Sequence, residues 1–84
     1  MKNKILVILD IPKAERTYDL YIPINKKIGT IKKLIEEELV ELTEGSYNMD
    51  EVSNLYSKDT GVVYDINKAV RETDLKNGSR IILI

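Results

Sequence analysis

The chain has 84 residues, no cysteine, no histidine and a net charge of −1. A domain of this length buries only about 60–65% of the surface of its unfolded chain, so a single core must stabilise it without a disulfide or a thiolate metal site. The balanced charge argues against nucleic-acid binding, which requires a strongly basic face. The usual general base near pH 7 and the usual thiol nucleophile are both missing, so we expect no enzymatic activity and no cofactor.

The first residues resemble the beginning of a signal peptide, since basic side chains precede an apolar run at residues 5–9. That run is too short, lacks a small-residue cleavage site and ends at Asp10. No stretch approaches the roughly 18–20 apolar residues of a membrane helix. We therefore expect a cytoplasmic chain without direct membrane insertion, and we interpret residues 5–9 as a buried strand.

A second strand is predicted over residues 17–23, where apolar and polar side chains alternate. Tyr18, Leu20 and Ile22 share one face of this strand, and Tyr21 lies on the other. A connection of about six residues, in which Pro12 ends any ladder pairing, predicts an antiparallel hairpin between the two strands.

A single amphipathic helix is predicted over residues 28–42. Lysines precede glutamates along it, which opposes the helix dipole, so the helix depends on docking. Asn25 or Thr30 could cap its start, and Gly45 is the expected stop. Two sets of side chains define its faces, an apolar stripe of Ile28, Ile31, Leu34, Ile35, Leu39 and Leu42, and a polar face of Lys32, Lys33, Glu36, Glu37 and Glu41.

The remaining chain is strand-like. Strands are expected at residues 52–57, 62–64 and 80–84, with turns at 58–61 and 77–78. The first and last strands look central and can pair only in parallel, because the helix crosses between the halves. This order predicts one α+β domain over residues 1–84, a β-grasp with a mixed five-stranded sheet in the order 2-1-5-3-4 and one main helix on one face.

Three segments carry a family resemblance: Tyr-Asp-Leu-Tyr-Ile-Pro at 18–23, Ile-Gly-Thr-Ile-Lys-Lys-Leu-Ile at 28–35, and residues 70–83 around Asn77-Gly78. They resemble ubiquitin-like proteins, and more narrowly the YukD/EsaB family of bacterial type VII secretion. The resemblance implies a small cytoplasmic accessory or regulatory component of a machine that exports small helical WXG-type proteins. It implies no catalytic residues.

The ubiquitin-like resemblance also raises a modifier or sulfur-carrier reading. Those chemistries activate a glycine carboxylate on a flexible C-terminal tail. The sequence shows no Gly-Gly and stops at Ile84 within the predicted last strand, so we disfavour this alternative. A self-associating structural domain stays open as a third reading.

The candidate interaction site is the sheet face without the helix. If Ile5, Val7 and Leu9 of the first strand and Ile81 and Leu83 of the last strand face the helix, their neighbours in these two strands face outward. They then form one contiguous apolar patch, which tends to mark an interface. Alternatively, the patch is apolar only because central strands usually are, and the side chains of Lys4, Arg80 and Tyr21 fold over it. We predict a protein-interaction site, for a secretion-machine component or a second copy of the chain, formed by Leu6, Ile8, Tyr21, Ile82 and Ile84.

Overall fold

The computed structural model of the protein describes residues 3–47 and 53–84. The strands of this part of the chain form one mixed sheet in the order β2-β1-β4-β3. β1 pairs in parallel with β4 at the centre, and the two edge strands pair antiparallel with them. This confirms the predicted α+β arrangement. The elements are β1 Lys4–Ile11, a 3-10 turn Pro12–Ala14, β2 Arg16–Pro23, α1 Ile28–Leu42, β3 Leu55–Ser57, a 3-10 turn Val70–Glu72 and β4 Ser79–Leu83.

The sheet described here has four strands, so the prediction of five is wrong in number. The predicted fourth strand, residues 62–64, contributes one isolated bridge between Tyr56 and Val63. Val62 is 62% exposed and has little contact with the core, so side-chain packing does not stabilise a longer ladder at this edge. The predicted third strand begins at Leu55, and its predicted first residue, Val52, lies outside the described residues.

Distant backbone groups, rather than a side chain, cap the start of α1. Lys27 is the N-cap residue and offers no side-chain hydrogen bond, so neither Asn25 nor Thr30 is the cap. The N–H groups of Ile28 and Gly29 donate to carbonyl oxygens in the segment 66–68, at 2.8 and 3.0 Å. A helix that needs tertiary partners for its first amides forms together with the core.

The C-terminus of α1 is a Schellman motif. The Gly45 N–H donates to the Val40 carbonyl at 2.8 Å, and the Glu44 N–H donates to the Glu41 carbonyl at 3.1 Å. Gly45 has a positive φ of 86°, and Glu44 already has one of 55°. The chain thus places glutamate at the left-handed position where glycine is usual.

One face of α1 and one face of the sheet form a single core. The predicted stripe is wrong at Leu34 and Leu42, which are 53% and 52% exposed, and the predicted polar face is wrong at Glu36, which is buried. Glu36 pairs with Lys32 at 2.8 Å. The helix is rotated so that Leu34 lies on the flank next to β2 and Glu36 on the opposite flank. The core residues of helix and sheet include Ile28, Ile31, Ile35, Leu39, Val7, Leu9, Ile81 and Leu83.

Within the described residues, no helix has both the length and the apolar character needed to cross a membrane.

Candidate protein-binding face

The pleat of the central strands places the predicted interaction residues on the sheet face opposite α1. Along β1, Val7 and Leu9 are buried to 1% exposure or less, whereas Leu6 and Ile8 between them keep intermediate exposure. The same alternation continues in β4, where Ile82 lies between buried neighbours. These three side chains belong neither to the buried core nor to the partly buried apolar side chains that pack against it. We call this helix-free surface the outer face.

The two remaining predicted residues are the most exposed apolar members of the outer face. Tyr21 on β2 is 53% exposed, and Ile84, directly after β4, is 47% exposed. Two backbone hydrogen bonds with Asn54 hold Ile84 in an extended position, with N···O distances of 2.7 and 3.1 Å. All five predicted residues therefore lie outside the core.

The strand register shows which of these side chains are neighbours. Leu6 stands directly opposite Tyr21 in the antiparallel pair of β1 and β2, so these two are in contact range. In the parallel pair, Ile8 stands opposite Arg80. Ile8 and Ile82 are consequently diagonal neighbours.

The expected patch is therefore interrupted rather than uniform. Asp10 stands opposite Ile82, just as Arg80 stands opposite Ile8. Four side chains of β1 and β4 form the corners of a square on the outer face. Ile8 and Ile82 lie on one diagonal, and Asp10 and Arg80 lie on the other. Leu6 extends the apolar surface from Ile8 along β1. The outer face thus presents apolar side chains with charged side chains between them.

Tyr56 belongs to the outer face and was missed by sequence reasoning. It pairs with Ile82 across β3 and β4, and it is half-buried. Leu55 and Ser57, on either side of it, are buried. The sequence left open which face of this segment was buried, because a three-residue strand with a buried serine carries almost no periodic signal. The register with β4 settles the orientation.

Asp10 is held in its ionised form at the edge of this surface. The Lys58 ammonium donates a hydrogen bond to the Asp10 carboxylate, and the Thr17 hydroxyl donates another. The bond from Lys58 is the main reason that the pKa of Asp10 lies below its usual value, and Thr17 adds to the effect. The pair joins the end of β1 to the turn after β3, so it braces the outer face beside Ile82.

No group of three or more metal-ligating side chains occurs among residues 3–47 and 53–84. The outer face carries aliphatic and aromatic side chains together with the charged side chains of Asp10, Asp19 and Arg80.

The chain matches none of the protein-family models against which it was scanned, and a search of curated proteins finds no match. Solved structures do match. The ubiquitin-like domain of EccD1, a type VII secretion system protein of Mycobacterium tuberculosis, is 14% identical, with a TM-score of 0.73 over 96% of this chain and 97% of that one. The chain has the ubiquitin-like β-grasp fold.

A larger protein also contains this fold. A chain of the MycP5-free ESX-5 inner membrane complex is 16% identical with a TM-score of 0.74, and the match covers 98% of this β-grasp chain but 21% of that one. A chain of a toluene 4-monooxygenase complex is 10% identical with a TM-score of 0.77, covering 95% of each. Such likeness shows the β-grasp fold alone, because one fold serves unrelated functions.

Proposed function

We propose that this β-grasp chain is a non-enzymatic protein-binding module of a type VII secretion system. It acts in the cytoplasm as an accessory or regulatory component of the kind that the YukD/EsaB resemblance implies. The observation that carries the binding role is the outer face, where Tyr21 and Ile84 are about half exposed and Leu6, Ile8 and Ile82 lie outside the core.

The secretion role has a separate basis. The structural likeness to the EccD1 domain and to a chain of an inner membrane secretion complex fits a module of such a machine. The partner that best fits is a protein component of the secretion apparatus, and its contact with the outer face would bury the apolar side chains around Ile8. Fully burying one such side chain is worth about 1.5–3 kcal/mol before the costs of association.

The test replaces the apolar centre of the outer face. We would combine Leu6→Asp with Ile82→Asn, since an aspartate at position 82 would face the Asp10 carboxylate in the register. The variant should remain folded and lose less than about 3 kcal/mol of unfolding free energy in urea, because each replaced side chain is only partly buried. It should fail to restore export of WXG-type proteins to cells lacking the gene.

Lys33→Gln is the matched control, because it makes the same change in net charge on an exposed position of α1. This control should restore export fully. Global unfolding of the double variant would show that the outer face is core. A stable double variant that restores export would contradict a role of this face in secretion.

A further inference from the structure

Four cationic side chains from two distant parts of the chain meet where α1 begins. The segments 24–29 and 66–71 lie side by side, because backbone hydrogen bonds of 2.8–3.0 Å and an isolated antiparallel bridge join them. All four side chains are exposed. We call this group the basic patch, and its members are Lys26, Lys27, Lys68 and Arg71.

The positive charge of the basic patch is only partly balanced. None of its members forms an ion pair with a carboxylate of residues 3–47 and 53–84. The Arg71 guanidinium instead donates to the side-chain oxygen of Asn25 at 3.3 Å. Asp65 and Glu72 border the patch along the chain, and each carboxylate accepts a hydrogen bond from a nearby backbone N–H at 2.9 Å. Four cations against two carboxylates leave an excess of positive charge.

The place of the basic patch in the fold opposes helix stability. The N-terminal end of a helix carries a partial positive charge, so cations there are unfavourable. Lys27 is the N-cap residue of α1, and its side chain makes no capping hydrogen bond. Lys26 directly precedes it, and no acidic side chain stands in the first turn of α1. A local rule that is broken without a structural gain is typical of a functional site.

An exposed isoleucine lies beside these cations. Ile66 is 52% exposed, and its carbonyl accepts from the Gly29 N–H at 3.0 Å. A Cβ atom added to Gly29 would lie 3.3 Å from the Ile66 Cβ, so the isoleucine stands against the first turn of α1. Lys68 follows it by two residues. An apolar side chain among cations matches the interface of an anionic bilayer, where charged headgroups overlie the acyl chains.

The opposite end of α1 has the opposite charge. Its last two turns and the residues directly after them carry only acidic charges, and all of these are exposed: Glu37, Glu38, Glu41 and Glu44. A molecule whose charges are separated in this way takes one orientation in the field of a charged surface. An anionic surface would therefore attract the start of α1 and repel its end.

We propose that the basic patch binds the surface of a bilayer that contains anionic phospholipids. The four cations lie near lipid phosphates, and Ile66 contacts the boundary between headgroups and acyl chains. Each cation close to such a surface strengthens binding about fivefold, and the attraction decays over roughly 10 Å at 0.1 M salt. The contact is peripheral and is separate from the outer face.

Co-sedimentation with lipid vesicles tests the proposal without a secretion system. The full chain would be mixed with vesicles of phosphatidylglycerol and phosphatidylcholine in equal parts, or of phosphatidylcholine alone. We expect binding to the anionic vesicles at about 50 mM salt, at least about tenfold weaker binding at about 500 mM, and none to the neutral vesicles. Equal binding to both compositions, or no binding to either, would overturn the proposal.

Two single substitutions assign the binding to the basic patch. Lys27→Gln should weaken binding to the anionic vesicles about fivefold. Arg16→Gln removes the same charge at the opposite end of the β1–β2 pair, where Arg16 stands opposite Ile11, and should weaken binding less than about twofold. Lys27→Gln should not lower Tm, because it removes a cation from a helix N-terminus, so its weaker binding would not reflect unfolding. Equal weakening by the two variants would contradict the assignment.

A fluorophore tests the orientation, since the chain has no cysteine of its own to compete for a thiol label. An environment-sensitive dye on Asn67→Cys, next to Ile66, should shift its emission to the blue on anionic vesicles. The same dye on Arg16→Cys should not. Equal shifts at both positions would contradict the predicted orientation. Tighter binding to duplex DNA or to a polyglutamate peptide than to the anionic vesicles would overturn the choice of a bilayer.

Discussion

The two faces of the sheet use the same residue types with opposite outcomes. Val7 and Leu9 are buried to 1% exposure or less, while Leu6 and Ile8 in the same strand keep intermediate exposure. Apolar composition does not distinguish the faces, because leucine and an aliphatic β-branched residue occur on both. The helix makes the difference, since it covers one face of the sheet and leaves the other uncovered.

The two faces should differ most in how much stability is lost when a leucine of β1 is shortened. Leu9→Ala removes a fully buried side chain and should lower the free energy of unfolding by about 2–5 kcal/mol. Leu6→Ala, on the outer face, should lower it by less than about 1.5 kcal/mol, since a partly exposed side chain leaves little cavity. Urea denaturation of both variants measures the difference. Equal losses would mean that the outer face is a second core.

A smaller effect concerns the end of the helix that covers the inner face. Glu44→Gly should raise the free energy of unfolding by about 1 kcal/mol, because glycine adopts the left-handed conformation without the strain of a Cβ atom. Glu41→Gly, three residues earlier inside α1, should instead lower it by about 1 kcal/mol. Thermal unfolding of the pair distinguishes the two signs, and the same sign at both positions would contradict the Schellman assignment.

The smallest effect is the pH dependence of the ion pair on the outer face. The pKa of Asp10 is lowered in the folded chain, so its contribution to stability is present above the unfolded-state pKa and disappears as pH falls through the folded-state pKa. Lys58→Ala should therefore lower Tm slightly at pH 7, and this difference should vanish in stronger acid. Lys33→Ala is the control and should show no such trend. A Tm difference independent of pH would contradict this account.

Much of the fold follows from periodicity along the chain. The helix spans residues 28–42 as predicted, and the strand pleat with its charged neighbours Lys4 and Asp10 correctly places Val7 and Leu9 on the buried face. The helical signal is strong because apolar residues repeat on one side of α1, whereas residues 5–9 are apolar on both sides of the strand. The central parallel pair follows from the order of the elements.

The errors lie where tertiary contacts decide the outcome. Leu34 was expected in the core and is exposed, whereas Glu36 was expected on the surface and is buried. The rotation of α1 on the sheet is set by packing and not by the helical period. The cap of α1 comes from a segment about forty residues away, which no local motif reveals. Tyr56 joined the outer face through its register with β4, a pairing that three residues of sequence do not encode.

Site-specific crosslinking in cells would test whether a protein partner contacts the outer face. A photoreactive benzoylphenylalanine would replace Arg80, which is exposed on β4 opposite Ile8, or Glu37, which is exposed on α1. We expect a crosslink from position 80 to a protein of the secretion apparatus, and none from position 37. Crosslinking from position 37 alone, or from neither position in secreting cells, would contradict the account.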